Sequence, residues 1–245
     1  MIDIHSHILA EVDDGPKSWE VSREMCRLSA EDGIETIIAT PHANERYFYD
    51  REYLGKTVEH LQGLVGDQPQ IGLGCDFHLS YENIQDALKN PGRYTINQTN
   101  YLLVELSNFG VPPQIGDSLM RLGDIGLVPI LTHPERNPIL QRTPRRVLEW
   151  VEAGILVQVT ASAFTGLWGE ASRRSAHWLL EHDAVHILAS DCHDTKRRLP
   201  GLSAGRDAVA DIAGPDVADA LVEANPRAVV ANQPIPYFPK PVMKD

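Results

Sequence analysis

Seven short runs rich in β-branched residues alternate along this chain with segments whose apolar residues recur every three or four positions. That alternation limits the fold to an α/β layout in which helices connect parallel strands. The expected strands are Ile2–His7, Ile34–Thr40, Gln70–Asp76, Tyr101–Glu105, Val128–His133, Ile155–Thr160 and Val185–Asp191. Helical stripes stand between them: Val21, Met25 and Leu28; Leu54, Val58, Leu61 and Val65; Ile115, Leu119 and Leu122; Val147 and Val151. Gly33, Gly126 and Gly154 fall where a helix must stop before the next strand, as left-handed cap residues do. The stretch Leu79–Gln98 is less regular and suggests a short helix ending at Pro91-Gly92. Two more helical segments are expected around Ser203–Ile212 and Asp216–Ala224. Seven strands in this order, without a Gly-x-Gly-x-x-Gly turn after the first, favour a barrel or strongly curved sheet over an open doubly wound one. The 245 residues fit one such domain, with a proline-rich, loosely held extension beyond Asn232.

Metal-binding side chains cluster at the strand ends. Strand one ends in His5-Ser6-His7, strand two runs into His42, strand three ends at Asp76, strand four at Glu105 and strand five at His133. Strand seven runs into Asp191-Cys192-His193, and Asp14 lies in the loop just after strand one. Side chains two apart on a strand project to one side, so His5 with His7, and Asp191 with His193, share a direction. In a barrel such residues meet at the carboxyl ends of the strands. A lone His-x-His pair could be a hydrogen-bonded core feature, and a lone strand-end acid often caps a helix. Five imidazoles and four carboxylates in one place are another matter, because without cations they would repel and desolvate one another. That set exceeds the needs of one ion and suits two or three, bridged by carboxylates. His60, His177, His182 and His186 fall on helices or on the wrong strand parity. His78 shares parity with Asp76 and is a candidate for supporting the site.

The formal charge of −12 argues against nucleic acid as a partner. Cys26, Cys75 and Cys192 are scattered and odd in number, which fits a reducing cytoplasm. Neither a signal peptide nor a membrane-spanning run is expected.

The opening "MIDIHSHILAEVDDGPKS", with "ATPH", "LTHPER", "ASDCH" and "NPRAVVANQ", resembles the bacterial PHP-type (polymerase and histidinol phosphatase) protein tyrosine phosphatases of capsule and exopolysaccharide loci. The likeness runs from residue 1 to about residue 233. It implies a single-domain distorted (β/α)7 TIM-like barrel over residues 1–233, followed by a proline-rich tail over 234–245. It also implies two or three divalent ions, with manganese expected and iron or zinc as alternatives, and hydrolysis of phosphotyrosine on a protein. The implied substrate is a tyrosine kinase that regulates polysaccharide export. The family's metal ligands fall on His5, His7, Asp14, His42, Asp76, Glu105, His133, Asp191 and His193. Its phosphate-binding arginines fall on Arg136 and Arg198. Asp76 stands where the family has a bridging glutamate. The family's Arg-Pro step reads Arg198-Leu199-Pro200 here, with Arg197 adjacent.

Other readings compete. Cys192 through Arg198 fits Cys-x5-Arg, the motif of cysteine-dependent phosphatases, but contains no glycine to wrap backbone around a phosphate. An amidohydrolase-type barrel also opens with His-x-His, yet no expected strand here ends in lysine. A phosphomonoesterase acting on small substrates such as histidinol phosphate is the main enzymatic alternative. A non-catalytic metal protein would need only about four ligands. Asp194 is one source for a leaving-group proton. Tyr47, Phe48, Tyr49, Phe109, Phe164 and Trp168 follow strands on the site side and either flank a substrate ring or pack loops onto the barrel.

Overall fold

The computed structural model describes residues 1–241. Its strands are β1 (Ile2–Ser6), β2 (Thr36–Ala39), β3 (His42–Ala43), β4 (Gln70–Leu73), β5 (Asp76–His78), β6 (Tyr101–Glu105), β7 (Val128–Thr132), β8 (Leu156–Thr160) and β9 (Ile187–Ala189). Every pairing between them is parallel. They form two sheets, ordered β1-β2-β4 and β3-β5-β6-β7-β8-β9. A parallel bridge between Ser6 and Cys192 then brings the end of the last strand beside the first. Connections run through α1 (Trp19–Glu31), α2 (Arg51–Val65), α3 (Tyr81–Lys89), α4 (Ile115–Asp124), α5 (Arg145–Glu152), α6 (Ala161–Phe164) and α7 (Gly169–Glu181). After β9 come α8 (Ser203–Ala213), α9 (Pro215–Asp219), a π turn over Ala220–Ala224 and α10 (Asn225–Val230). No described helix is long and apolar enough to cross a membrane.

Most strands are shorter than expected by a residue or two at one end or both, and two of them are interrupted. Strand three does not run unbroken from Gln70 to Asp76; it divides at Gly74-Cys75, and Asp76 begins β5 rather than ending β4. Pro41 likewise interrupts strand two, and His42–Ala43 resumes as β3, paired with Asp76–Phe77. Proline cannot donate to a ladder, so a strand re-forms only beyond it. The break sets His42 directly beside Asp76 in register. Gly33, Gly126 and Gly154 have φ of 86°, 87° and 97°, in line with left-handed helix ends.

The interior has two apolar layers. Ile2, Ile4, Ile38, Leu103, Ile130, Leu156, Ile187 and Ala189 form a buried cluster contributed by strands of both sheets. Opposite-facing residues such as Ile37, Leu102, Leu131, Val157 and Leu188 pack against helical Met25, Leu61, Leu119, Val147 and Leu179. Each inner residue precedes the polar group at its strand's end, so apolar packing forms a floor beneath the imidazoles and carboxylates. Strict alternation from Ile4 would turn His5 outward. The register of β1 on β2 slips between Asp3 and Ser6, and this irregularity re-aims His5 and His7 over the floor.

The segment after Asn232 is held more firmly than an extension. Asn225 is fully buried; its amide donates to His186 O at 2.8 Å and Tyr237 O at 2.7 Å and accepts from Tyr237 N at 2.9 Å. Tyr101 Oη donates to Gln233 O at 2.6 Å. Residues 242–245 of the expected tail lie outside the described residues. Asn225→Ala removes three hydrogen bonds and strands buried groups, at a cost of about 1–3 kcal/mol. In a domain of this size that lowers the melting midpoint by roughly 2–10 °C, with faster proteolysis near residue 237. A variant that melts with the parent would show that Asn225 does not hold the segment.

Candidate metal centre

The nine side chains singled out above come from six strands or the loops leaving them, and the fold brings all nine together. Four groups of donor atoms lie mutually within 4.8 Å: His7, Asp14, His42 and His193; His5, His7 and Asp76; His5, His133 and Asp191; His42, Asp76 and Glu105. Among the described residues these groups use those nine side chains and no other. Asp76 Oδ2 is the hub, 3.2 Å from His42 Nδ1, 3.5 Å from His5 Nε2 and 4.0 Å from His7 Nε2. Asp191 Oδ1 stands 3.4 Å from His5 Nε2 and 3.5 Å from His7 Nε2. Asp14 Oδ1 is 3.3 Å from His193 Nε2 and 3.4 Å from His42 Nε2. Glu105 faces His42 at 3.7 Å and His133 at 3.9 Å.

Backbone geometry aims two of these residues. His133 (φ 35°) and Asp191 (φ 50°) adopt the left-handed conformation at their strand ends. Side chains other than glycine rarely occupy that region, and such strain gathers at working sites.

Carboxylate, amide and carbonyl groups behind the rings fix which nitrogen faces the cluster. His7 Nδ1 pairs with Asp13 Oδ2 at 2.7 Å, His5 Nδ1 with Gln158 Oε1 at 2.9 Å, and His193 Nδ1 with Asp191 O at 3.0 Å. Asp13 also accepts from Gly15 N and His42 N. What remains is informative: His5 Nε2, His7 Nε2, His42 Nδ1, His193 Nε2 and both Asp76 oxygens are buried without a hydrogen-bond partner. Such atoms are costly unless something else satisfies them. Nitrogen and carboxylate oxygen donors, oriented from behind and converging in space, fit divalent cations.

The electrostatics are strained in the same sense. Burial alone would lower the pKa of His5, but Asp191 and Asp76 raise it to about 9. Burial is likewise outweighed at His42, where Asp14 and Asp76 push it up to about 12. His7 falls to about 4 through burial and the neighbouring His193. Asp76 is held well below the usual carboxylate range despite burial, chiefly by His5 and His42, whereas burial and Asp76 raise Glu105. The cluster thus calls for positive charge at its centre.

Both expected arginines reach the rim. Arg136 Nη1 is hydrogen-bonded to Asp191 Oδ2. Arg198 Nη2 donates to the same oxygen at 2.6 Å and to Asp191 O at 3.1 Å. Arg197 is exposed, so of the adjacent pair it is Arg198 that faces the cluster. Asp194 builds the turn between them: its carboxylate accepts from Lys196 N and Arg197 N, both at 2.6 Å. Despite some burial, these backbone bonds lower its pKa, so Asp194 stays ionised and is a poor proton donor.

The remaining candidates lie elsewhere. Cys192 is fully buried and its thiol is pushed well above its ordinary pKa by burial and nearby Asp3, which disqualifies it as a thiolate nucleophile. His60 packs against Trp19 and His182 against Trp178, while His186 Nδ1 accepts from Val157 N. His78 stands 3.8 Å from Glu105, at the edge of the cluster. Tyr49 and Phe164 are buried packing residues, whereas Phe48 and Phe109 are exposed and Tyr47 stacks on His42. Sequence reasoning missed Asp13 and Gln158. Asp13 could not be told from its neighbour Asp14 by position alone. Gln158 carried a faint signal as the one polar residue inside the run Leu156–Val159.

Comparison with known proteins agrees with this architecture. The chain is 28% identical to a protein from a crystallographic study of YwqE from Bacillus subtilis and CpsB from Streptococcus pneumoniae, described there as unique metal-dependent tyrosine phosphatases. The two structures superpose with a TM-score of 0.92 over 100% of both chains. It is 31% identical over 242 residues to the tyrosine-protein phosphatase CpsB of Streptococcus pneumoniae, covering 95% of this chain and 99% of that one. With the tyrosine-protein phosphatase YwqE of Bacillus subtilis it shares 32% identity over 203 residues, 81% of this chain and 79% of the other. A D-hydantoinase shares the fold alone, at 11% identity and a TM-score of 0.55 over 93% of this chain and 69% of the other. Residues 1–231 match the family model for capsular polysaccharide synthesis, CpsB/CapC, and the chain belongs to that family.

Proposed function

We propose that this chain is a metal-dependent protein tyrosine phosphatase of the PHP type, acting in the cytoplasm on a tyrosine kinase of capsule or exopolysaccharide export. The observation that carries this reading is the convergence of nine metal-binding side chains beneath two arginines. On this reading the parallel ring is a distorted (β/α)7 barrel over residues 1–233, with β2 and β3, and β4 and β5, each counted as one interrupted strand. His5, His7, Asp14, His42, Asp76, Glu105, His133, Asp191 and His193 would hold two or three divalent ions, with manganese expected. Asp76 is the one carboxylate common to two of the donor groups and would serve both.

When bound, such ions polarise phosphoryl oxygens and make water a competent nucleophile near neutral pH. The chain's own residues do the rest. Asp13 and Gln158 hold His7 and His5 in the tautomer that presents Nε2 to the cluster. Arg136 and Arg198 grip the nonbridging phosphate oxygens, a task suited to a planar, permanently charged fork. The tyrosyl leaving group has an intrinsic pKa of about 10, so it departs with less protonation than an alkyl alcohol requires. Phe48 and Phe109, 84% and 100% exposed on loops leaving β3 and β6, offer a rim that suits a polypeptide better than a small phosphomonoester.

Turnover of a phosphotyrosine peptide and of histidinol phosphate, with and without chelator, tests the assignment. The peptide is expected to be the better substrate, chelation to abolish turnover and Mn2+ to restore it. Preference for histidinol phosphate would shift the reading to a small-molecule phosphomonoesterase. Arg136→Ala and Arg198→Ala are each expected to lower turnover on the order of 100-fold or more. Wild-type rates in both would remove the phosphate clamp. Asp13→Ala is expected to weaken metal binding roughly 10–100-fold, read by metal analysis after dialysis, and full retention of metal would deny it an orienting role.

A further inference from the structure

We infer that Trp168 is a positioning residue, a shared aromatic platform that holds Arg136 and Arg198 at the phosphate position. This rests on the phosphatase reading for its substrate, though not for its geometry. The Arg136 guanidinium carbon lies 4.1 Å from the centre of the Trp168 ring, and that of Arg198 lies 5.1 Å from it. The two arginines come from different strand-end segments, one after β7 and the other after β9, while Trp168 lies just before α7. The indole is itself anchored, since Nε1 donates to Ser162 Oγ at 3.0 Å. Gly166 and Gly169, at φ of 86° and 81°, turn the short loop on either side of it. Trp168, Arg198, Asp14 and His193 together line a cavity of about 430 Å³ that opens beside the cluster.

The physical need for such a platform follows from Asp191. Both guanidinium groups converge on its Oδ2, yet Asp191 also belongs to a metal-binding group with His5 and His133. A carboxylate engaged by a cation has less charge to offer two arginines, and two like charges close together repel. The electron-rich face of an indole attracts both without competing for the carboxylate, and most strongly where water is excluded. The Arg136 side chain is only 18% exposed, so its contact is largely shielded from water. Holding the pair in place before phosphate arrives removes the ordering cost from the binding step.

The test uses metal-loaded full-length protein with Trp168→Phe and Trp168→Leu, reading inorganic phosphate affinity by calorimetry, kcat and KM for a phosphotyrosine peptide, and metal content. Trp168→Leu is expected to weaken phosphate binding on the order of tenfold and to raise KM similarly, with metal content unchanged. Trp168→Phe keeps an aromatic face and is expected to stay within about threefold of wild type. In an Arg198→Ala background, Trp168→Leu should cost less than it does alone, because one of its partners is gone. Equal behaviour of the Phe and Leu variants, whether both impaired or both intact, would overturn the platform, as would loss of metal in the Leu variant. If the wild type binds phosphate in this Trp168-dependent way but cleaves no phosphotyrosine, the phosphatase reading fails and the platform stands. If it cleaves phosphotyrosine with Trp168→Leu at wild-type rate and affinity, the reverse holds.

Discussion

Four carboxylates and five imidazoles crowded together at the ends of parallel strands set the terms for everything else in this molecule. Water is largely excluded from His5, His7, Asp76 and Asp191, each 1% exposed or less. In such a place every unpaired charge and every lone donor is costly. The protein does not dilute this set. It orients each ring from behind, through Asp13, Gln158 and the Asp191 carbonyl, so that the unpartnered atoms face a common centre. That arrangement suits cations, and it differs from a buried polar network, whose members satisfy one another.

The scaffold divides the labour by depth. Inside the ring, Ile4, Ile38, Leu103, Ile130 and Ile187 form a dense apolar floor that fixes strand spacing. Above it, the strands lose regularity where function needs direction. β1 slips in register, proline and glycine interrupt the next two strands, and His133 and Asp191 bend into the left-handed region. Local irregularity of this kind costs stability and persists because the packed layers beneath and around over-determine it. The long-range bridge from Ser6 to Cys192 does a related job, drawing Asp191 and His193 beside His5 and His7.

Charge on the rim complements charge at the centre. Arg136 and Arg198 stand over a strongly anionic cluster, so they are drawn inward, and Trp168 gives them a second surface on which to rest. The Asp194 carboxylate, bound by the backbone of its own turn, shapes the segment that delivers Arg198. Trp168 and Asp194, both outside the cluster, thus serve one end, the placement of two guanidinium groups at the mouth.

The sequence by itself determined the strand and helix alternation, the parallel arrangement and the identity of all nine clustered side chains, because period and residue type are local properties written in order along the chain. His5 and His7 could be paired by parity, whereas Arg136 came from the family resemblance carried by the LTHPER run. Other features were decided only in three dimensions. Which of Asp13 and Asp14 turns to support His7, and which of Arg197 and Arg198 faces Asp191, depends on loop paths that neighbouring letters do not encode. The service of Gln158 to His5 spans 153 positions, and the split strands arise where backbone hydrogen bonding meets Pro41 and Gly74-Cys75. The docking of Tyr237 onto Asn225 was hidden behind a proline-rich composition that looked free. Contacts between distant segments depend on how the parallel sheets assemble as a whole, and no window of sequence contains that assembly.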